Sequence, residues 1–176
     1  RGVVVMSRKQ VFYFYEGETE KKLLEFLKNT KKISSGKVRK FNLWKGRFRK
    51  IQRTINKDDK LFFVVDTDDV TNTECFSKNI KLLKLYNFCL IVQHKNLEEE
   101  LCFSCNKANN KKLFNDFYKV QSADKFKSKF CRDKGIDLTL SNNDFNFKNF
   151  WSRSGDFSDW LKKNGISASI ECNYKV

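Results

Sequence analysis

The 176-residue chain contains no proline and only one histidine, His94. It also lacks any apolar run of about 18 residues, which excludes a transmembrane helix from the reading. The first residues have no apolar stretch of the kind found in a signal peptide, which points to the cytoplasm and away from a membrane. A single histidine argues against a zinc enzyme built on imidazole ligands. The absence of proline, beside abundant Lys, Asn and Phe, reflects genomic base composition more than any demand of the fold. Flexible linkers and internal repeats are missing too, so residues 1–176 read as one domain. Met6 reads as a natural start, with Arg1 to Val5 upstream of it.

Acids are outnumbered: 21 Asp and Glu stand against 36 Lys and Arg, a formal charge of +15 at pH 7. Such an excess favours polyanionic partners, nucleic acid above all. An anionic membrane surface would also attract it, but the apolar amphipathic edge needed there is lacking. The charge is concentrated. Between Lys31 and Lys60 lie twelve Lys or Arg and two acids, so this window supplies +10. A solvated face is the plain reading of a charge run, and a phosphate-backbone surface is the preferred one here. A hydrophobic fraction of 40% with 18 Phe supports a folded globule.

Six cysteines without an export signal read as free, mostly buried thiols. Cys102-Phe103-Ser104-Cys105 is a lone CxxC for which His94 and Cys131 are the obvious further ligands. A helical core face explains the spacing better than zinc does.

An apolar strand over about Gln10 to Tyr15 precedes a helix with Thr19 as its cap and Glu20 in its first turn. After Gly36 a second strand is expected over Lys37 to Leu43. Trp44, Phe48, Ile51 and Ile55 then step by four, three and four, which predicts an amphipathic helix. Lys45, Arg47, Arg49, Lys50 and Arg53 form its outer, nucleic-acid-binding face. Leu61 to Val65 and Phe88 to Val92 are continuous apolar runs, as in strands of a parallel sheet buried on both faces. A helix beginning near Thr73 separates them, and the alternation implies right-handed crossovers. From Leu97 to Phe130 the apolar spacing is helical. An aromatic tail from Asp144 to Lys163 ends at Asn164-Gly165, a helix stop. Its Phe145, Phe147, Phe150, Trp151 and Trp160 could stack on bases, but core packing is the preferred reading. Ser167 to Tyr174 is expected to add a last strand.

Two strands end in acids: Glu16 follows Val11-Phe12-Tyr13-Phe14-Tyr15, and Asp66-Thr67-Asp68 follows Leu61 to Val65. A carboxylate at the C-terminal edge of a strand sits where α/β proteins place their chemistry. If the two strand ends meet, their carboxylates repel unless a cation lies between them. Oxygen-only ligands suit Mg²⁺ or Mn²⁺. An acidic turn and helix cap is the plain alternative for Asp66 to Asp69.

The order strand-Glu16-Gly17, basic insert, strand-Asp66-Thr67-Asp68 resembles the Toprim domain. Glu16-Gly17-Glu18-Thr19-Glu20-Lys21 is similar to OLD-type nucleases and RloB-like phage-defence proteins. The resemblance covers residues 10–105, leaving 106–176 as a helical extension packed on that core. It implies an α/β fold with a mainly parallel sheet flanked by helices. It further implies a Mg²⁺-dependent endonuclease whose catalytic residues are Glu16, Asp66, Asp68 and Glu98, the first three being metal ligands. Glu99 rivals Glu98, because Asn96 and Glu99 could instead form a capping box. Lys21 or Lys22 would offset charge at the scissile phosphate, and His94 is read as a surface or packing residue. The partners implied are nucleic acid, DNA or RNA, and an ATPase or other defence-complex subunit. The alternative is a non-catalytic Toprim-like module that binds nucleic acid or a partner protein.

Overall fold

The computed structural model describes residues 8–70 and 72–176, so Met6 lies outside the described residues. Val11–Tyr15 forms strand β1, Lys37–Lys40 β2, Lys60–Asp66 β3 and Asn87–Gln93 β4. They make one sheet in the order β2-β1-β3-β4, with every neighbouring pair parallel. Seven α-helices accompany them among the described residues. Helix α1 spans Glu18–Asn29, α2 Thr73–Leu83, α3 Leu97–Ser104, α4 Asn110–Tyr118, α5 Ala123–Arg132, α6 Ile136–Asn142 and α7 Asp156–Lys163. The chain is α/β with a helical C-terminal part, consistent with a Toprim-like architecture. No described helix is long and apolar enough to cross a membrane.

Alternation along the strands divides the core in two. Tyr13, Phe62, Val64, Cys89 and Ile91 face one side, where Leu23, Leu24 and Leu27 of α1 and the apolar faces of α3 to α6 cover them. Phe12, Phe14, Leu61, Phe63, Leu90 and Val92 face the other, beneath residues 41–55, α2 and Leu161 of α7. The Phe14 and Phe63 rings stack at 4.5 Å where their strands are in register. A sheet covered on both faces explains the unbroken apolar runs of β3 and β4.

Four expectations need correction. The stretch from Trp44 to Ile55 is not an α-helix; its regular parts are two short 3₁₀ turns, Phe48–Lys50 and Gln52–Thr54. Trp44, Phe48 and Ile55 are nevertheless buried and the five basic residues exposed, so the apolar pattern marks the right faces of a different backbone. Gly46 weakens a helix there. The buried Asn79 of α2 also claims the backbone: its Nδ2 donates to the carbonyls of Leu43 and Gly46, and its Oδ1 accepts from Phe48 N–H. Strand β2 stops at Lys40, before the tight turn in which Gly46 N–H reaches Asn42 O.

The third correction concerns Ser167 to Tyr174, which forms no strand. Ala168 makes one parallel bridge to Leu90 before Ser169–Glu171 turns as a 3₁₀ helix. Fourth, Cys89 and Cys172 are joined in a disulfide with Cα atoms 5.8 Å apart. The Leu90–Ala168 bridge lays the C-terminal segment along β4 and brings these two buried sulfurs together. Cys75, Cys102, Cys105 and Cys131 are free.

The aromatic tail is mainly core. Phe150 and Trp151 are buried, Phe145 and Phe147 pack against them, and only Trp160 of the five stands out, at 48% exposure.

Candidate functional site

Strands β1 and β3 are hydrogen-bonded neighbours, so both run out at the same edge of the sheet. There Glu16 and Asp66 line one cleft of about 450 Å³ with Gly17, Glu20, Asn42 and Lys127. An adjoining hollow of about 380 Å³ shares Glu16, Asn42 and Asp66 and adds Asp68, Asp69 and Lys45. The two strand-end acids, 50 residues apart in sequence, therefore share a single opening.

Local bonds fix these ends. Gly17 rather than Thr19 is the cap of α1, and Glu20 Oε2 accepts from Gly17 N–H at 2.9 Å. A side chain at position 17 would meet that oxygen, so glycine suits the turn. Trp44 Nε1 donates to the Asp66 carbonyl at 3.0 Å, and Gln93 Nε2 donates to Asp66 Oδ1. The Thr67 hydroxyl donates to Gln93 O and accepts from Lys95 N–H, clipping the ends of β3 and β4 together. Asn96 Nδ2 reaches Asp68 Oδ2 at 3.3 Å.

The electrostatics are those of crowded carboxylates. Burial and the nearby charge of Asp66 push Glu16 up to about 8. Burial and the charge of Glu20 push Asp66 up to about 7, even though Gln93 works in the opposite direction. Glu20 is itself raised by burial and by Glu98. Glu16 Oε1 is buried with no hydrogen-bond partner.

Glu98 is buried on the cleft side of α3, with Oε1 3.2 Å from Lys127 Nζ of α5. The contact is an ion pair, with no further partner at Oε1. Asn96 caps α3, its Oδ1 accepting from the Glu99 backbone N–H at 3.1 Å. Of the two rivals, Glu98 is the one facing the acidic group.

His94 is exposed and lines a separate hollow with Arg153 and Ser158; its N–H is held by Glu100 Oε1 at 2.7 Å. Lys21 pairs loosely with Glu18, and neither Lys21 nor Lys22 lines the cleft. Cys102 and Cys105 face the core, where burial pushes their thiols up to about 12 and 11.

Beyond Lys45 the surface becomes basic. Lys45, Arg47 and Arg49 line a groove of about 800 Å³ with Lys78 and Lys81 of α2. Its one acid, Glu74, is paired with Lys78 at 2.6 Å. Lys50 and Arg53 are exposed on the same stretch but outside this groove.

The donors suit a hard cation: all are carboxylate oxygens, and one of them is buried and unpaired. Among the described residues, no three His, Cys, Asp or Glu stand close enough to form a ready-made cage. Mg²⁺ keeps several waters and takes one or two carboxylates directly. Glu16 and Asp66 are placed to supply them, with Asp68 at the rim.

Sequence reading alone did not single out Glu20, Gln93 or Lys127. In the sequence Glu20 is a first-turn acid of its helix, and no motif marks Gln93 or Lys127. Comparison with known proteins yields no matching family model, no matching curated protein and no matching solved structure.

Proposed function

We propose that this protein is a metal-dependent nucleic-acid phosphodiesterase of Toprim type, using Mg²⁺ or Mn²⁺. We place it in antiphage defence in the cytoplasm, alone or with an ATPase subunit. The observation that carries the reading is that Glu16 and Asp66 share one cleft, with a buried Glu16 oxygen unpaired. A protein gains nothing in stability from crowding buried carboxylates, so their grouping favours a cation-binding role.

A divalent cation held there would polarise the phosphoryl group and lower the pKa of an attacking water. Glu16 and Asp66 would bind it, Gln93 keeps Asp66 aimed, and Asp68 and Glu98 add negative charge around it. The basic groove would hold the phosphodiester backbone, and Lys45, which lines both groove and hollow, would lead the strand into the cleft.

One observation favours the second reading, a non-catalytic binding module: Lys127 already neutralises part of the acidic group. A cleavage screen across Mg²⁺, Mn²⁺ and Ca²⁺ with single- and double-stranded DNA and RNA separates the two. The enzyme reading predicts cutting with Mg²⁺ or Mn²⁺, lost in EDTA and in Asp66→Asn. Salt-sensitive binding without cutting under any metal would establish the module instead.

A further inference from the structure

The acidic group has two halves. Glu16, Asp66 and Asp68 come from strand ends and line the open side. Glu20 and Glu98 come from the first turns of α1 and α3 and are buried at 7% and 4% exposure. Lys127 makes its direct contact with the second half. Its Nζ lies 3.2 Å from Glu98 Oε1, and its charge acts on Glu20 and Asp66 as well. The lysine is not a wandering surface residue. Phe126 and Phe130, on either side of it in α5, are buried at 1% and 0% exposure and fix the helix against the core. Ser128 and Cys131 of the same helix also line the cleft.

A compact ammonium group and a divalent cation compete for the same carboxylate oxygens, because like charges at contact distance repel strongly. Buried carboxylates without a cation would in turn hold protons. Glu98 Oε1, buried and without a hydrogen bond, needs a positive partner, and Lys127 is the one present.

We propose that Lys127 is a built-in counter-ion occupying the place of a second divalent cation, so that the cleft loads one ion, on the Glu16–Asp66–Asp68 side. The inference rests on the metal-binding reading of the same cleft. It makes this a single-ion site in which the helical C-terminal part supplies the other positive charge.

The test is the number of Mn²⁺ ions bound per full-length chain, counted by equilibrium dialysis with electron paramagnetic resonance of the free ion. The wild type is expected to bind one. Lys127→Met is expected to bind two, and Lys127→Arg, which keeps the charge, one. Two ions in the wild type, or one in a folded Lys127→Met, would overturn the role of Lys127 while leaving the metal reading intact. No ion in the wild type would overturn the metal reading itself. Lys127 is half exposed, so its replacement leaves the core untouched. The wild-type count does not depend on any variant folding.

Discussion

Gln93 Nε2 donates to Asp66 Oδ1 across 2.5 Å, while Oε1 of the same amide accepts from the Trp151 indole N–H at 3.2 Å. An indole nitrogen only donates, so the amide has one satisfied orientation, with its NH₂ group toward the carboxylate. Gln93 and Asp66 are also register partners on adjoining strands. A tryptophan from the C-terminal part thus aims a strand-end acid of β3.

Trp151→Phe should expose that dependence. It keeps most of the packing but leaves Gln93 Oε1 buried without a donor. Urea unfolding should show a loss of about 1–3 kcal/mol, the usual cost of an unsatisfied buried polar group. Mn²⁺ should also bind more weakly. Unchanged stability together with unchanged Mn²⁺ affinity would mean that the indole does not hold the amide.

Stability should fall with rising pH. Glu16 and Asp66 sit near 8 and 7, against ordinary values of 4.5 and 3.8. Below about pH 4 both are protonated in the folded and unfolded chains alike, and their contribution is fully present. Between about pH 4 and 8 the folded chain keeps protons that the unfolded chain has released, so unfolding is progressively favoured. Thermal melts should show Glu16→Gln flatter across this window and higher-melting than wild type at pH 8. Added Mg²⁺ should raise the wild-type Tm at pH 8 and barely change it at pH 5. A wild-type profile that climbs between pH 5 and 8 would contradict the crowded-carboxylate account.

Asn79 is the tie between α2 and the basic stretch. Asn79→Ala frees the carbonyl of Leu43 and the N–H of Phe48 and leaves Gly46 O only the Cys75 thiol. The expected loss is about 2–3 kcal/mol in urea, since several buried backbone groups lose their partner together. Nucleic-acid affinity should drop too, because Lys45 and Arg47 lose their fixed positions. Wild-type stability in this variant would show that the 42–48 turn holds itself.

The groove makes a finer distinction among the basic residues. Arg47→Gln with Arg49→Gln should lower the slope of log K against log salt by about 2, as expected for two lost phosphate contacts. Lys50→Gln with Arg53→Gln lies outside the groove and should change the slope less. Equal effects from the two pairs would point to diffuse charge rather than a track.

Much of this was legible in the sequence because it depends on local pattern. Continuous apolar runs gave β3 and β4, and the acids at the ends of β1 and β3 placed Glu16 and Asp66 at the same edge of a parallel sheet. What was missed depends on distant partners. The spacing of Trp44, Phe48, Ile51 and Ile55 marked a buried face correctly, but Asn79, some thirty residues on, takes the backbone bonds a helix would need. Glu20 and Lys127 become site residues only when α1 and α5 pack together over the sheet edge. The Cys89–Cys172 bond spans 83 residues, and no local signal joins its ends.

Under the proposed function, the carboxylate of Glu16 serves chemistry rather than folding. Cleavage and binding of nucleic acid should be measured side by side in Mg²⁺ for wild type and Glu16→Gln. Glu16→Gln is expected to lose about 10²–10³-fold in cleavage rate, in keeping with several kcal/mol of metal-assisted catalysis. Binding and thermal stability at neutral pH should be retained or improved. Cleavage in Glu16→Gln at the wild-type rate, or wild-type cleavage that persists in EDTA, would contradict the proposed function.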